Sequence, residues 1–257
     1  MRFASLGSGS AGNALIVEAG STRLLLDCGF GIRETLQRLA RLDVSIESLN
    51  GILVTHEHDD HAGGVFKLAH RYGIPVWLTH GTLSMSSRHF PNQPDFRRYV
   101  IDSHTPLTIR DLEIHPFPVP HDAREPVQFV FSDGHHRLGV LTDVGAPTPH
   151  IERMLSGCDA LVLECNHDID MLMNGPYARP LKQRVSGRLG HLDNAAAAEL
   201  LSRLDTSRLQ HMVAAHLSAQ NNHPDLARKA LSHVLNCEES WIGIADQVNG
   251  FDWRSLE

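Results

Sequence analysis

The chain lacks a basic excess: its 257 residues carry 23 Lys and Arg against 30 Asp and Glu, a formal net charge of −7. That argues against a generally cationic nucleic-acid coat, although local basic clusters can persist on an acidic protein. Cysteine is scarce. The four present, Cys28, Cys158, Cys165 and Cys237, form neither a Cys-x-x-Cys pair nor an evenly spaced framework, which argues against a disulfide scaffold and for a reducing compartment. No apolar run approaches the length of a membrane span. Gly and Ser interrupt any apolar signal core after Arg2. A soluble, cytoplasmic protein with no membrane partner is the expectation. What the chain does have is 42% hydrophobic residues, enough for one substantial core without requiring two. Residues 1–257 are therefore expected to form a single domain.

Apolar alternation and turn residues predict the elements in order. Strands are expected over residues 1–6, 14–17 and 22–27, a helix over 32–42, and a short buried strand at 52–54. A second helix should end at Gly73, before a strand over 74–79. Further strands are expected at 107–109, 113–117, 127–131, 137–142, 160–164, 209–215 and 241–245, with helices at 149–155, 195–204 and 225–235. Asp193 or Asn194 is the natural N-cap of the alanine-rich helix. Strand runs, helices, then strand runs and helices again predict an α/β fold with two sheets packed between outer helices. The Gly/Ser turn over residues 7–13 reads either as a hairpin connection or as a rim of N–H groups able to receive a phosphate. It has no P-loop Lys and no following helix. His80 and His89 are expected at a surface or rim, and His135 and His136 at a solvated turn tip.

One stretch concentrates chemistry: Thr55-His56-Glu57-His58-Asp59-Asp60-His61, a His-x-His-x-Asp-His motif. It follows the apolar run Ile52-Leu53-Val54 and precedes a helical pattern. Side chains alternate along a strand, so His56 and His58 can share a side while Asp60 and His61 close on it from the helix start. Imidazole and carboxylate together suit zinc, and also manganese or iron.

This motif resembles that of the metallo-β-lactamase fold, a superfamily of mostly dinuclear metallohydrolases, and the resemblance runs the length of the chain. It implies a four-layer αββα sandwich of two mixed sheets flanked by helices. It also implies a later isolated His, an Asp in a Thr-Asp-x-Gly turn, and a His after a late strand, matched by His121, Asp143 and His216. By that likeness one divalent ion takes His56, His58 and His121, the other takes Asp60, His61 and His216, and Asp143 bridges them. Asp27, at the end of the third strand, would brace the metal-binding loop rather than cap the next helix. Two ions sharing a hydroxide give a nucleophile at neutral pH, because metal binding lowers the pKa of water from about 16 to about 7.

Glu164-Cys165-Asn166-His167, Gly190-His191 and His216-Leu217-Ser218 resemble motifs of RNase Z and related nucleases. The closer likeness is to the YycJ/WalJ branch, through Gly7-Ser8-Gly9-Ser10, Asn166-His167-Asp168, Leu181-Lys182-Gln183-Arg184 and Gly190-His191-Leu192. That branch is associated with DNA exonuclease activity. The resemblance therefore implies a metal-dependent phosphodiesterase acting on nucleic acid, DNA before RNA. His191 would be the general acid, with Asp60, Glu164 and His167 as further catalytic candidates. Asn166, Lys182, Arg184, Arg188 and Ser218 are the candidate substrate contacts, the three cations lying in an expected basic loop. Only a hairpin separates His121 from Asp143, where RNase Z places its long tRNA-binding arm, which argues against processing of tRNA ends. Asp193 stands where the branch usually has Ser. The competing expectation is hydrolysis of a small ester, thioester or cyclic phosphodiester, which fold alone does not separate from nuclease action. Cys165, near these residues, is expected to be a buried, inert thiol.

Overall fold

The apolar runs assemble into two sheets. The structure, a computed structural model, describes residues 1–86, 90 and 96–257. The chain runs through β1 (Arg2–Gly7), β2 (Ala14–Ala19), β3 (Thr22–Leu26), α1 (Ile32–Arg41), β4 (Gly51–Leu53), α2 (Asp59–Ala62), α3 (Val65–Tyr72), β5 (Val76–Thr79), α4 (His80–Met85) and β6 (Arg98–Ile101). It continues with β7 (Leu107–Ile109), β8 (Leu112–Pro118), β9 (Val127–Ser132), β10 (Arg137–Leu141), α5 (Pro149–Leu155), β11 (Ala160–Glu164), α6 (Ile169–Asn174) and α7 (Arg179–Val185). Then come α8 (Asn194–Ser202), β12 (His211–Ala215), α9 (Pro224–Leu235), β13 (Gly243–Ile244) and β14 (Phe251–Ser255). Seven strands form each sheet, in the orders β14-β1-β2-β3-β4-β5-β6 and β13-β12-β11-β10-β9-β8-β7. Both sheets are mixed. The pairs from β14 to β3 are antiparallel and those from β3 to β6 parallel. The other sheet is antiparallel from β7 to β10 and parallel from β10 to β13.

The two-residue period of the strands builds the layers. Leu24 and Leu26 enter the core between the sheets, while Leu25 enters the core shared with α1 and α3. Val213 and Ala215 likewise face the other sheet, and Met212 and Ala214 the core shared with α5, α8 and α9. Strands buried on both faces read as unbroken apolar runs, which is what made them visible in the sequence. Phe129 and Phe131 anchor the inter-sheet core with no exposure. Each such side chain contributes about 1.5–3 kcal/mol by leaving water. The result is the expected four-layer αββα sandwich.

Differences fall where burial gives no signal. Residues 179–185, expected as a basic loop, form α7, with Pro180 in the first turn and Lys182 and Arg184 in the last. Pro fits there because its missing N–H would have no partner in the first turn. β6 and β14 are edge strands without a buried-face alternation, and Arg98, Tyr99 and Val100 are exposed. The helix expected after the histidine motif divides into α2 and α3 at Gly63 and Gly64. A Cβ on Gly64 would lie 1.9 Å from the Phe30 carbonyl oxygen, so the motif can pack on the β3–α1 turn only with glycine there. Among the described residues no helix is long and apolar enough to cross a membrane.

Candidate metal centre

The clustered residues sit at or beyond the carboxyl ends of strands. The His56–His61 stretch follows β4, His121 follows β8, Asp143 follows β10, Glu164 ends β11 and His216 follows β12. Asp27, Asp143 and His216 have φ of 59°, 51° and 55°, left-handed values for residues that carry a Cβ. Such strain, of order 1–3 kcal/mol each, persists only where the surroundings fix it. Here Asp143 N and Val144 N donate to the two carboxylate oxygens of Glu164 at 3.2 and 3.0 Å. His216 N donates to Ser8 Oγ at 2.9 Å, and Asp27 N to Leu53 O at 2.8 Å.

Hydrogen bonds at Nδ1 orient three of the imidazoles. His61 Nδ1 donates to Asp27 Oδ2 at 2.8 Å and His121 Nδ1 to Gly190 O at 3.1 Å. Thr55 Oγ1 donates to Asp27 Oδ2 at 2.8 Å, so it accepts from His56 Nδ1 at 2.9 Å. Asp27 thus braces the motif as expected, and the N-cap of α1 is Gly31, which has no side chain to cap it. Each Nδ1–H bond leaves Nε2 as the lone-pair atom. Among the described residues, His56 Nε2 is buried with no hydrogen-bond partner. His61 Nε2 lies 2.9 Å from Asp143 Oδ2, which likewise makes no hydrogen bond. Two lone pairs facing at that distance require a cation, either a proton or a metal.

The electrostatics show the same demand. Burial opposes charge on His61, yet Asp143, Asp60 and Asp27 hold its pKa well above the usual value. Burial likewise opposes charge on Asp143, yet His216 and His61 hold its pKa well below the usual carboxylate range. Burial keeps the pKa values of His56 and His121 below that of free histidine, so both present neutral imidazole. The donor atoms form three groups, of which the last two share Asp143 and His216: His56, His58 and His121; Asp60, His61, Asp143 and His216; and Asp143, Glu164, His191 and His216. Within each group they lie within 4.8 Å of one another. Neutral imidazoles and ionised carboxylates converging on unpartnered atoms fit divalent cations.

Glu164 has no exposed surface and accepts from four groups. Besides the two backbone N–H groups above, Leu192 N donates to Oε2 at 3.0 Å and His191 Nδ1 to Oε1 at 2.7 Å. Burial works against charge on His191, but Glu164, with Asp143 behind it, raises the imidazole pKa to about 9. The His191 ring stacks on His216 with centroids 5.3 Å apart and planes 15° apart. His191, Asp60, Asp143 and His216 line a cleft of about 430 Å³, with Asp122, Tyr177, Leu181, Arg184 and Val185 completing much of its wall.

Other residues singled out in the sequence lie elsewhere. Glu164 braces rather than faces the cleft. His167 is 1% exposed, lies 3.3 Å through Nδ1 from Asn166 Oδ1, and does not line the cleft. Asn166, expected at the substrate, is buried, and its Nδ2 donates to His216 O at 3.0 Å. Ser218, also expected there, is buried with Oγ accepting from Asn221 N at 3.2 Å. Both build the turn that carries His216. Of the cations, Lys182 Nζ donates to Met173 O at 2.7 Å, Arg184 Nε pairs with Asp122 Oδ2 at 2.7 Å, and Arg188 is exposed. The Gly/Ser turn is tied down through several of its N–H groups: Gly9 N donates to Asn13 Oδ1, Ala11 N to Gln247 Oε1, and Asn13 N to Asp60 O. It connects β1 to β2, and its Ser10 also lines the cleft. His80 is exposed on α4, and His89 lies outside the described residues. His135 is exposed at its turn, as expected, while His136 is half-buried against Asp133. Cys165 is fully buried, and burial pushes its thiol pKa up. Asp193 caps α8 by accepting from Ala196 N at 2.8 Å.

Sequence reasoning missed three contributors. Asn13 Nδ2 lies 3.0 Å from His61 Nε2 and 3.3 Å from Asp60 Oδ2. Asp122 Oδ1 lies 3.5 Å from His121 Nε2, and its position next to that histidine was the available signal. Tyr177 has no spacing relation to any motif.

Two seven-stranded sheets with histidine and aspartate clusters at their strand ends define a metal-dependent hydrolase. Residues 22–216 match the beta-lactamase superfamily domain. Exodeoxyribonuclease YycJ of Bacillus anthracis is 33% identical over 252 residues, 98% of this chain and 96% of that one. Exodeoxyribonuclease WalJ of Streptococcus pneumoniae is 31% identical over 249 residues, covering 96% and 93%. The metallo-beta-lactamase fold protein YhfI from Bacillus subtilis superposes with a TM-score of 0.76 over 98% of each chain, at 19% identity. The chain belongs to the metallo-β-lactamase superfamily and, within it, to the YycJ/WalJ family.

Proposed function

We propose that this protein is a DNA exonuclease, a dinuclear metal-dependent phosphodiesterase. The observation that carries the reading is that His191, held by Glu164, stands beside Asp143 and His216, which belong to the Asp60–His61 donor group. The names of the two full-length relatives supply the substrate class. His56, His58 and His121 would hold one ion, Asp60, His61 and His216 the other, with Asp143 shared. Zinc or manganese, with iron also compatible, would supply a nucleophile at neutral pH and neutralise charge on the phosphoryl oxygens.

The chain's own residues do the rest. Asp27, Thr55 and Gly190 fix which imidazole nitrogens face inward. With Nδ1 committed to Glu164, His191 keeps Nε2–H as its free donor in the cleft. That proton serves the departing 3′- or 5′-alkoxide, whose conjugate acid is weak. A well-placed general acid is worth about 10² to 10⁴ in rate. Asp60 Oδ2 lies 3.4 Å from His216 Nε2, so these two donor atoms would hold the same ion. Arg184, paired with Asp122 at the cleft wall, offers a cation to the phosphate backbone.

The test is metal-free protein reloaded with zinc or manganese and given 5′- and 3′-labelled DNA and RNA. Shortening of DNA from one end supports the reading. Hydrolysis confined to small esters, thioesters or cyclic phosphodiesters refutes it. A cleft of about 430 Å³ is within the size range of small-molecule pockets and keeps that alternative in the test.

A further inference from the structure

The geometry points to Tyr177 as the platform on which the terminal nucleobase of a single-stranded end stacks while its phosphodiester lies at the ligand cluster. This deepens, and rests on, the nuclease reading. The cleft has two chemically distinct sources of wall. His58, Asp60, Asp143 and His216 come from the loops and the short helix at the strand ends, His191 from the turn after α7, and Arg184 from α7 itself. Tyr177, Leu181 and Val185 come from one segment, the turn between α6 and α7 and then α7 itself. A phosphate and its ions need nothing apolar. An aromatic ring flanked by two aliphatic side chains matches the flat, apolar face of a base.

Tyr177 is free for that use. It is half-buried, and no hydrogen bond to another described residue is formed by its hydroxyl. Its segment is nevertheless fixed to the site. His191 N donates to Val185 O at 2.8 Å, and Lys182 Nζ to Met173 O at 2.7 Å across the turn. A Cβ on Gly190 would fall 2.2 Å from the carbonyl oxygens of Arg184 and Val185, so α7 sits directly against the turn that carries His191. The turn that carries Tyr177 and the turn that carries His191 are thereby joined through α7. The recessed part of the cleft, about 430 Å³, is on the scale of a single nucleotide, and we take the entering nucleotide as unpaired.

The test uses metal-loaded wild type, Tyr177→Ala and Tyr177→Phe with single-stranded oligonucleotides that end in a normal or an abasic nucleotide. A terminal 2-aminopurine next to a phosphorothioate linkage reports stacking by fluorescence quenching. Wild type is expected to favour the normal end in KM by about 5- to 150-fold, the range that base stacking on one aromatic ring supplies. Tyr177→Ala should abolish that preference and the quenching, and Tyr177→Phe should keep both. A preference that is absent in wild type, or that survives Tyr177→Ala, overturns the assignment. Loss of kcat on both ends with the preference intact marks a structural role and also overturns it. If wild type cleaves no oligonucleotide but hydrolyses a small ester or thioester, the nuclease reading itself fails.

Discussion

Replacing Glu164 with glutamine tests the organisation of the site at its buried hub. The carboxylate has no exposed surface and accepts from His191 Nδ1 at 2.7 Å, Leu192 N and Val144 N at 3.0 Å, and Asp143 N at 3.2 Å. Glutamine has the same shape but one oxygen. Whichever way the amide turns, its NH₂ faces two N–H donors, so two bonds to a charged acceptor are lost. At about 1.5–3 kcal/mol each, the gross loss is about 3–6 kcal/mol. Removing a buried charge offsets part of it, so metal-free Glu164→Gln should unfold about 3 kcal/mol below wild type near neutral pH. The part due to His191 has a defined pH window. Its folded pKa of about 9 lies above the ordinary 6.5. The stabilisation is therefore complete below pH 6.5 and lost as pH rises through about 9. The gap between the proteins should narrow over that interval. Urea unfolding at several pH values measures the gap, and NMR titration of His191 should show its midpoint falling in the variant. An unchanged urea midpoint together with an unchanged His191 titration would refute the hub.

His191→Ala should retain both metals and slow a substrate with an alkoxide leaving group by about 10² to 10⁴, and a nitrophenolate ester far less. Equal slowing of the two, or loss of a metal, removes His191 from the general-acid role. Asp143→Ala should empty the centre, because this carboxylate lies 2.9 Å from His61 Nε2 and 3.9 Å from His121 Nε2, between the two proposed ligand sets; two tightly held metals with normal activity, by elemental analysis and assay, would sink the ligand assignment. Metal affinity of wild type should also fall below about pH 6 as the imidazoles take protons. Arg184→Ala leaves Asp122 without its partner at 2.7 Å. Oligonucleotide binding should weaken and its salt slope drop by about 1, and an unchanged slope would exclude Arg184 as a phosphate contact.

The sequence by itself determined the layers and the ligand types. Strands buried on both faces are largely apolar, so β3, β11 and β12 were legible, as were α5 and α9 from their sequence pattern and α8 from its cap. The His-x-His-x-Asp-His stretch declared a metal-binding chemistry because those side chains share few other uses at that spacing. Edge strands β6 and β14 and the short α6 and α7 were not legible, since exposed elements carry little hydrophobic pattern. Only the tertiary structure decided which polar residues face the cleft. Asn166 and Ser218 lie in the right motifs, yet their hydrogen bonds turn them into the His216 turn. Glu164 and His191 are 27 residues apart, and their bond exists because β11 ends beside the turn that α7 packs against. Arg184 and Asp122, 62 residues apart, form an ion pair at the cleft wall. A side chain's partners across such separations are set by how the strand ends and α7 pack together, and no local spacing in the chain records that.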